Sequence, residues 1–114
     1  MLITGLREAR RARLETELTR MTEELIRLGA EKVILFGSLA RGKTTKSSDL
    51  DLIVVMQSKQ PFLARWEEVY IKLLPGVDTD LLVYTPQEFE EKQRTSTAFR
   101  RMLKEGKVLY AAGS

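Results

Sequence analysis

The sequence predicts an α/β fold in one domain spanning residues 1–114, and three observations carry that prediction. Two short apolar runs, Val33-Ile34-Leu35-Phe36 and Leu52-Ile53-Val54-Val55, have the length and β-branched content of buried strands. A third run, Leu81-Leu82-Val83-Tyr84, has the same character. Around them, apolar residues recur at spacings of three and four, the period of a helix with one buried face. A length of 114 residues fits one hydrophobic core and is too short for two. With 43% hydrophobic and 31% charged residues, the chain has the balance of a globular domain rather than a disordered one.

Residues 6–28 read as an amphipathic helix, with Leu14, Leu18, Met21, Leu25 and Leu28 in one stripe and Gly29 as its stop. Its other faces alternate Arg7, Arg10, Arg11, Arg13 and Arg20 with Glu8, Glu15, Glu17, Glu23 and Glu24. Such a pattern is the ordinary mark of a solvated, ion-paired face, although the early arginines could also grip a nucleic acid or an acidic partner. Val33–Phe36 is the first strand, and Leu39-Ala40-Arg41 begins a short helical turn. The second strand, Leu50–Met56, is apolar on both sides, so both faces of the sheet should be covered. After the polar connection Gln57–Pro61, a helix over Phe62–Leu74 places Phe62, Trp66, Val69, Tyr70 and Leu73 on one face, and Pro75-Gly76 ends it. Trp66 and Tyr70 are expected to be core residues rather than a base-stacking pair. A strand over Val77–Tyr84 follows. Thr85-Pro86-Gln87-Glu88 has the form of a capping box with proline at the first helical position. A helix to about Arg94 and another over about Thr95–Lys104 follow, with Gly106 as a stop and Val108–Tyr110 as a last short strand. The tail from Ala111 to Ser114 is expected to fray.

Composition narrows the chemistry. The chain has no cysteine and no histidine, which removes disulfides, thiolate metal sites and imidazole bases. Catalysis would have to rest on carboxylates and a hard metal. No apolar stretch is long enough to span a bilayer and no signal-peptide pattern is present, so no membrane role and a cytoplasmic location are expected. The net charge of +3 and pI near 9.3 are compatible with nucleotide or nucleic-acid binding but decide nothing, because many proteins without such partners share them.

The stretch that carries chemistry runs from Gly37 to Asp51: Gly37-Ser38-Leu39-Ala40-Arg41-Gly42, a polar linker, then Ser48-Asp49-Leu50-Asp51. Gly37 lets backbone approach a phosphate closely and Ser38 adds a hydroxyl. Asp49 and Asp51 fall on the same face of a strand, their Cα atoms ~6.5 Å apart, close enough to share one cation or bridge two. Hard carboxylate oxygens suit Mg²⁺ with nucleotide phosphates. Gly37 to Thr44 also satisfies the phosphate-loop pattern G-x-x-x-x-G-K-[ST], with Lys43 and Thr44 as its ligands. That motif must open a substantial helix crossing to a parallel strand, whereas here a polar turn leads to the next strand within a few residues. A calcium loop is excluded, because its repeated acidic ligands are absent.

The Gly-Ser turn and the Asp-x-Asp strand at this spacing resemble the minimal nucleotidyltransferases of the DNA polymerase β-like superfamily. The likeness covers most of the chain. Val33 to Val55 matches the core motif, Asp80 to Glu90 the third-carboxylate strand and its helix, and Phe99 to Tyr110 the closing segment. Alternation alone leaves Asp78 and Asp80 open as a third acid; the resemblance selects Asp80, because Leu81-Leu82-Val83-Tyr84-Thr85-Pro86 follows it.

The resemblance implies a small, mixed, twisted sheet of about four strands with helices mainly on one side. It implies Asp49, Asp51 and Asp80 as catalytic and metal-binding residues, with two Mg²⁺ ions, and Gly37, Ser38, Arg41 and Ser48 as nucleotide or phosphate ligands. The implied reaction moves a nucleoside monophosphate, AMP from ATP or another nucleoside triphosphate, onto a hydroxyl. Larger relatives carry a further domain for the acceptor, so here the acceptor surface is expected from a homodimer mate or another protein. Such chains are typically encoded beside a helical HEPN protein as toxin and antitoxin, and in some pairs adenylylate its tyrosine. Nucleic acid is the less favoured partner. The alternative is a non-catalytic module of the same fold that neutralises its partner by contact.

Overall fold

The computed structural model describes residues 2–37 and 49–113. The expected turn at Leu39-Ala40-Arg41, and with it Ser38, Arg41 and Ser48, lies outside the described residues. In chain order the elements are α1 (Leu2–Arg27), β1 (Lys32–Phe36), β2 (Leu50–Val55), α2 (Phe62–Leu73), β3 (Thr79–Tyr84), α3 (Pro86–Thr95), α4 (Thr97–Glu105) and β4 (Lys107–Ala111). The four strands form one mixed sheet in the order β3-β2-β1-β4. β1 is antiparallel to both β2 and β4, while β2 and β3 run parallel, joined through α2.

Strand alternation sorts the apolar residues into two cores. Val33, Leu35, Leu50, Leu52, Val54, Leu81 and Val83 pack against Leu14, Met21 and Leu25 of α1 and Val69 and Leu73 of α2. Ile34, Ile53, Val55 and Tyr84 point the other way, onto Phe89 of α3 and Phe99 of α4. Every residue of β2 is buried, as its two apolar faces require. The two longer helices do share one side, but α3 and α4 cover the other, so the sheet is clothed more evenly than a one-sided packing. The reason lies in β2 and β3, whose second faces are too apolar to meet water.

Local signals fix the ends. Gly29 adopts φ +104° just past α1, where its amide and that of Ala30 donate to Ile26 and Leu25 carbonyls. Thr85 caps α3 through a complete capping box with Glu88. α2 differs from expectation: its left-handed terminator is Leu74, at φ 45°, one residue before Pro75-Gly76. A non-glycine residue there costs roughly 1–2 kcal/mol. Contacts from α1 compensate, since Arg20 donates to the Leu73 and Leu74 carbonyls at 3.2 and 3.1 Å. At the other end, Ala111 belongs to β4 and the Ala112 amide donates to the Glu31 carbonyl at 2.8 Å. The described part of the tail is therefore tied to the sheet instead of frayed.

Candidate active site

The carboxylates gather where β1 ends and β2 and β3 begin. Asp51 sits opposite Phe36 across the antiparallel β1–β2 pair and beside Asp80 across the parallel β2–β3 pair. Neighbouring strands lie ~4.8 Å apart and paired residues share a face, so the Asp51 and Asp80 side chains project together. Asp51 is 7% exposed, whereas Asp80 is open to solvent. A cavity of about 360 Å³ adjoins them, lined by Phe36, Leu52, Trp66, Thr79, Leu81 and Leu82 as well. Trp66 thus packs on the core, as expected of its spacing, and also forms part of the wall.

Gly37 makes room for a carboxylate. Its φ is +86°, and a Cβ built there would stand 2.1 Å from Oδ2 of Asp51. The Asp51 carboxylate fills the space a side chain would need, so the turn and the acid are made for each other. No larger residue fits without moving Asp51.

Asp49 is held differently. It precedes β2, and its amide and that of Leu50 donate to the Asp78 carbonyl at 2.9 and 3.1 Å. One carboxylate oxygen of Asp49 accepts from the Asp78 amide at 3.2 Å, and the other accepts from the guanidinium of Arg10 in α1. Asp78 therefore acts through its backbone, joining the start of β2 to the segment before β3. Among the described residues no three acidic side chains converge as a metal cluster. The structure brings Asp51 and Asp80 together and leaves Asp49 beside them, turned to Arg10.

The donor set still fits a hard dication. All candidate ligands are carboxylate oxygens, and the Asp51 carboxylate is lodged over a glycine whose missing side chain makes the space for it. The phosphate-loop alternative fits less well. β1 and β2 are antiparallel neighbours, so the segment between them does not cross over to a parallel strand.

Arg10 was not singled out by its sequence pattern, and neither was the polar seam of which it is the outer member. Next on the same face of α1, Arg13 donates to the Gly76 carbonyl at 3.1 Å. Glu17 accepts from the Gly76 amide at 2.6 Å and pairs with Arg20 at 2.6 Å. The Arg20 hydrogen bond, with the Gly76 amide and the charge of Arg13 adding to it, lowers the Glu17 pKa from 4.5 to about 2. Positions 10, 13, 17 and 20 share a face because they are spaced by three and four.

A second hidden support is Arg65, 4% exposed on α2. It donates to Glu88 at 2.7 Å, to the Val83 carbonyl at 2.8 Å and to the Gln60 carbonyl at 2.9 Å. Its hydrogen bond holds the Glu88 carboxyl below the usual carboxylate range. Tyr84 nearby is shifted upward by burial and, secondarily, by the Glu88 charge. Glu88 and Tyr84, with Phe62 and Lys92, line a shallow hollow of about 730 Å³ that meets the carboxylate cavity at Leu82.

Comparison with known proteins gives this geometry a lineage. A chain from Methanocaldococcus jannaschii named "Putative protein adenylyltransferase" is 37% identical over 82 residues, 70% of this chain and 78% of that one. A crystal structure of a "putative nucleotidyltransferase" from Sulfolobus solfataricus superposes with a TM-score of 0.64. It covers 91% of this chain and 86% of that one at 21% identity, a likeness of fold. More distantly, a mutant of the toxin-antitoxin MntA-HpeT shares 24% identity over 81% of this chain and 71% of that one, at a TM-score of 0.49. The family model described as "Nucleotidyltransferase domain" matches residues 18–101, from α1 through α4, and so takes in the glycine turn and all three aspartates. With that match over most of its length, the chain belongs to the nucleotidyltransferase domain family and is a nucleotidyltransferase.

Proposed function

We propose that this nucleotidyltransferase moves AMP from ATP to a hydroxyl of a partner protein, releasing pyrophosphate. The observation that carries the reading is the pairing of Asp51 with Asp80 on adjacent strands, set against a glycine that has room for nothing but the Asp51 carboxylate. Asp49, Asp51 and Asp80 would hold Mg²⁺, which supplies neutralisation of phosphate charge and activation of the attacking oxygen. Gly37 and Ser38 contact the phosphates, with Arg41 and Ser48 in support. Asp80, exposed on the edge strand, accepts the proton of the acceptor hydroxyl. The hydroxyl oxygen bonds to the α-phosphorus as the bond to the β-phosphate oxygen breaks, and pyrophosphate leaves with that electron pair. The partner in this reading is a HEPN-type helical protein, and the chain its antitoxin. This rests on the family resemblance.

The test uses ATP labelled on the α-phosphate, Mg²⁺, and the protein encoded beside this one. Label is expected on the partner with the wild type and not with an Asp49→Ala, Asp51→Ala double variant. A stable complex without label would instead make the chain a contact antitoxin. Release of the γ-phosphate alone would revive the phosphate loop.

A further inference from the structure

The transferase reading leaves one charged contact at the site without a role. Arg10 stands 39 residues before Asp49 in the chain, yet its guanidinium is paired with that carboxylate. We propose that Arg10 is the exchangeable counter-ion of this site. Its guanidinium holds Asp49 in the cation-free chain; when a divalent cation takes that carboxylate, the guanidinium turns to the anionic phosphates of the substrate. The inference rests on the transferase reading and adds a residue from α1 to it.

The arrangement of Asp49 is the first support. One of its oxygens is engaged by Arg10 and the other by the Asp78 amide, so a cation arriving at Asp49 competes with the arginine. The second is the seam along α1. Arg13, Glu17 and Arg20 bind the backbone of residues 73–76, which fixes the helix so that Arg10 overhangs the start of β2. The third is magnitude. The Arg10 side chain is 49% exposed and that of Asp49 23% exposed. Pairs this open to water shift an equilibrium by no more than about fivefold, so the contact yields readily to a doubly charged ion. Residues 5–13 of α1 are exposed on every side, which leaves the freed guanidinium room to turn. Its planar fork suits phosphate oxygens as well as a carboxylate.

Arg7 provides the control. It lies one turn farther out on the same face, carries the same charge, and makes no ion pair among the described residues. The experiment titrates the full chain with Mn²⁺ alone, by electron paramagnetic resonance, and then with a non-hydrolysable ATP analogue at saturating Mn²⁺. Arg10→Gln should bind Mn²⁺ about fivefold more tightly and the analogue about fivefold more weakly than Arg7→Gln, with an unchanged thermal melt. Equality of the two variants in either titration overturns the exchange. So does a gain in Mn²⁺ affinity that persists when Arg10→Gln is combined with Asp49→Asn. Mn²⁺ binding indifferent to both Asp51→Asn and Asp80→Asn would overturn the transferase reading itself, and the exchange with it.

Discussion

At Gly37 two demands meet in one residue: a left-handed φ of +86° and a carboxylate oxygen where a Cβ would be. Gly37→Ala is therefore expected to displace the Asp51 carboxylate while leaving both cores intact. If Asp51 is catalytic as proposed, misplacing it by about an ångström costs on the order of 10²-fold, so kcat for nucleotidyl transfer should fall about that much. Steady-state kinetics beside a thermal melt check it. The aspartates and this glycine were legible in the sequence because their chemistry lies in short-range spacing: Asp49 and Asp51 two apart, Gly37 at the end of an apolar run. Arg10 was not, because its meaning depends on a contact 39 residues distant. In the sequence it is one of several arginines on a helix that also alternates with glutamates. Asp78, legible only as a rival for Asp80, contributes its backbone.

Among the elements, α1 is joined to the segment before β3 through Glu17, which accepts from the Gly76 amide. Its pKa of about 2 lies below its ordinary 4.5, so it favours the folded state by staying charged. Its contribution is fully present above about pH 4.5 and is lost as the pH falls toward 2. Glu17→Gln should lower stability at pH 7 by roughly 1.5–3 kcal/mol, the range of a hydrogen bond to a charged group. The variant's melting temperature should also lose part of the wild type's decline between pH 4.5 and 2, which melts across that range would show. Helix bodies and the capping box at Thr85 were readable because their signals are local. The stop at Leu74 was not. A leucine carries no turn signal, and what holds it there is Arg20 from another helix.

For the whole molecule, the candidate site is assembled from three strands and two helices, so binding reports on the global fold. If the three aspartates hold the metal and nucleotide, ligand at about 100 times its Kd stabilises by about 2.7 kcal/mol. That corresponds to a rise in melting temperature on the order of 10 °C for a chain this size. Asp51→Asn and Asp80→Asn should each abolish most of the rise, as scanning calorimetry with MgATP would show. Alternation along β2 revealed that both faces of the sheet are covered, but not which strands are neighbours. The order β3-β2-β1-β4 depends on how α2 carries the chain from β2 to a parallel β3, and on β4 returning to the far side of β1. Neither follows from periodicity, and both came only with the structure.

The uneven burial of α1 has a consequence in time rather than in space. Its 26 residues form one continuous helix, but its first described side chain in the core is Leu14. A helical segment of fewer than about 12–15 residues is marginal in water when nothing packs on it. The turns before Leu14 are tied to the body through the side chains of Arg10 and Arg13 rather than through the core, so their amides are expected to exchange with solvent faster than those beyond it. Arg10 rides on that less protected half. Its grip on Asp49 is then set by an equilibrium of turns as well as by the ion pair itself.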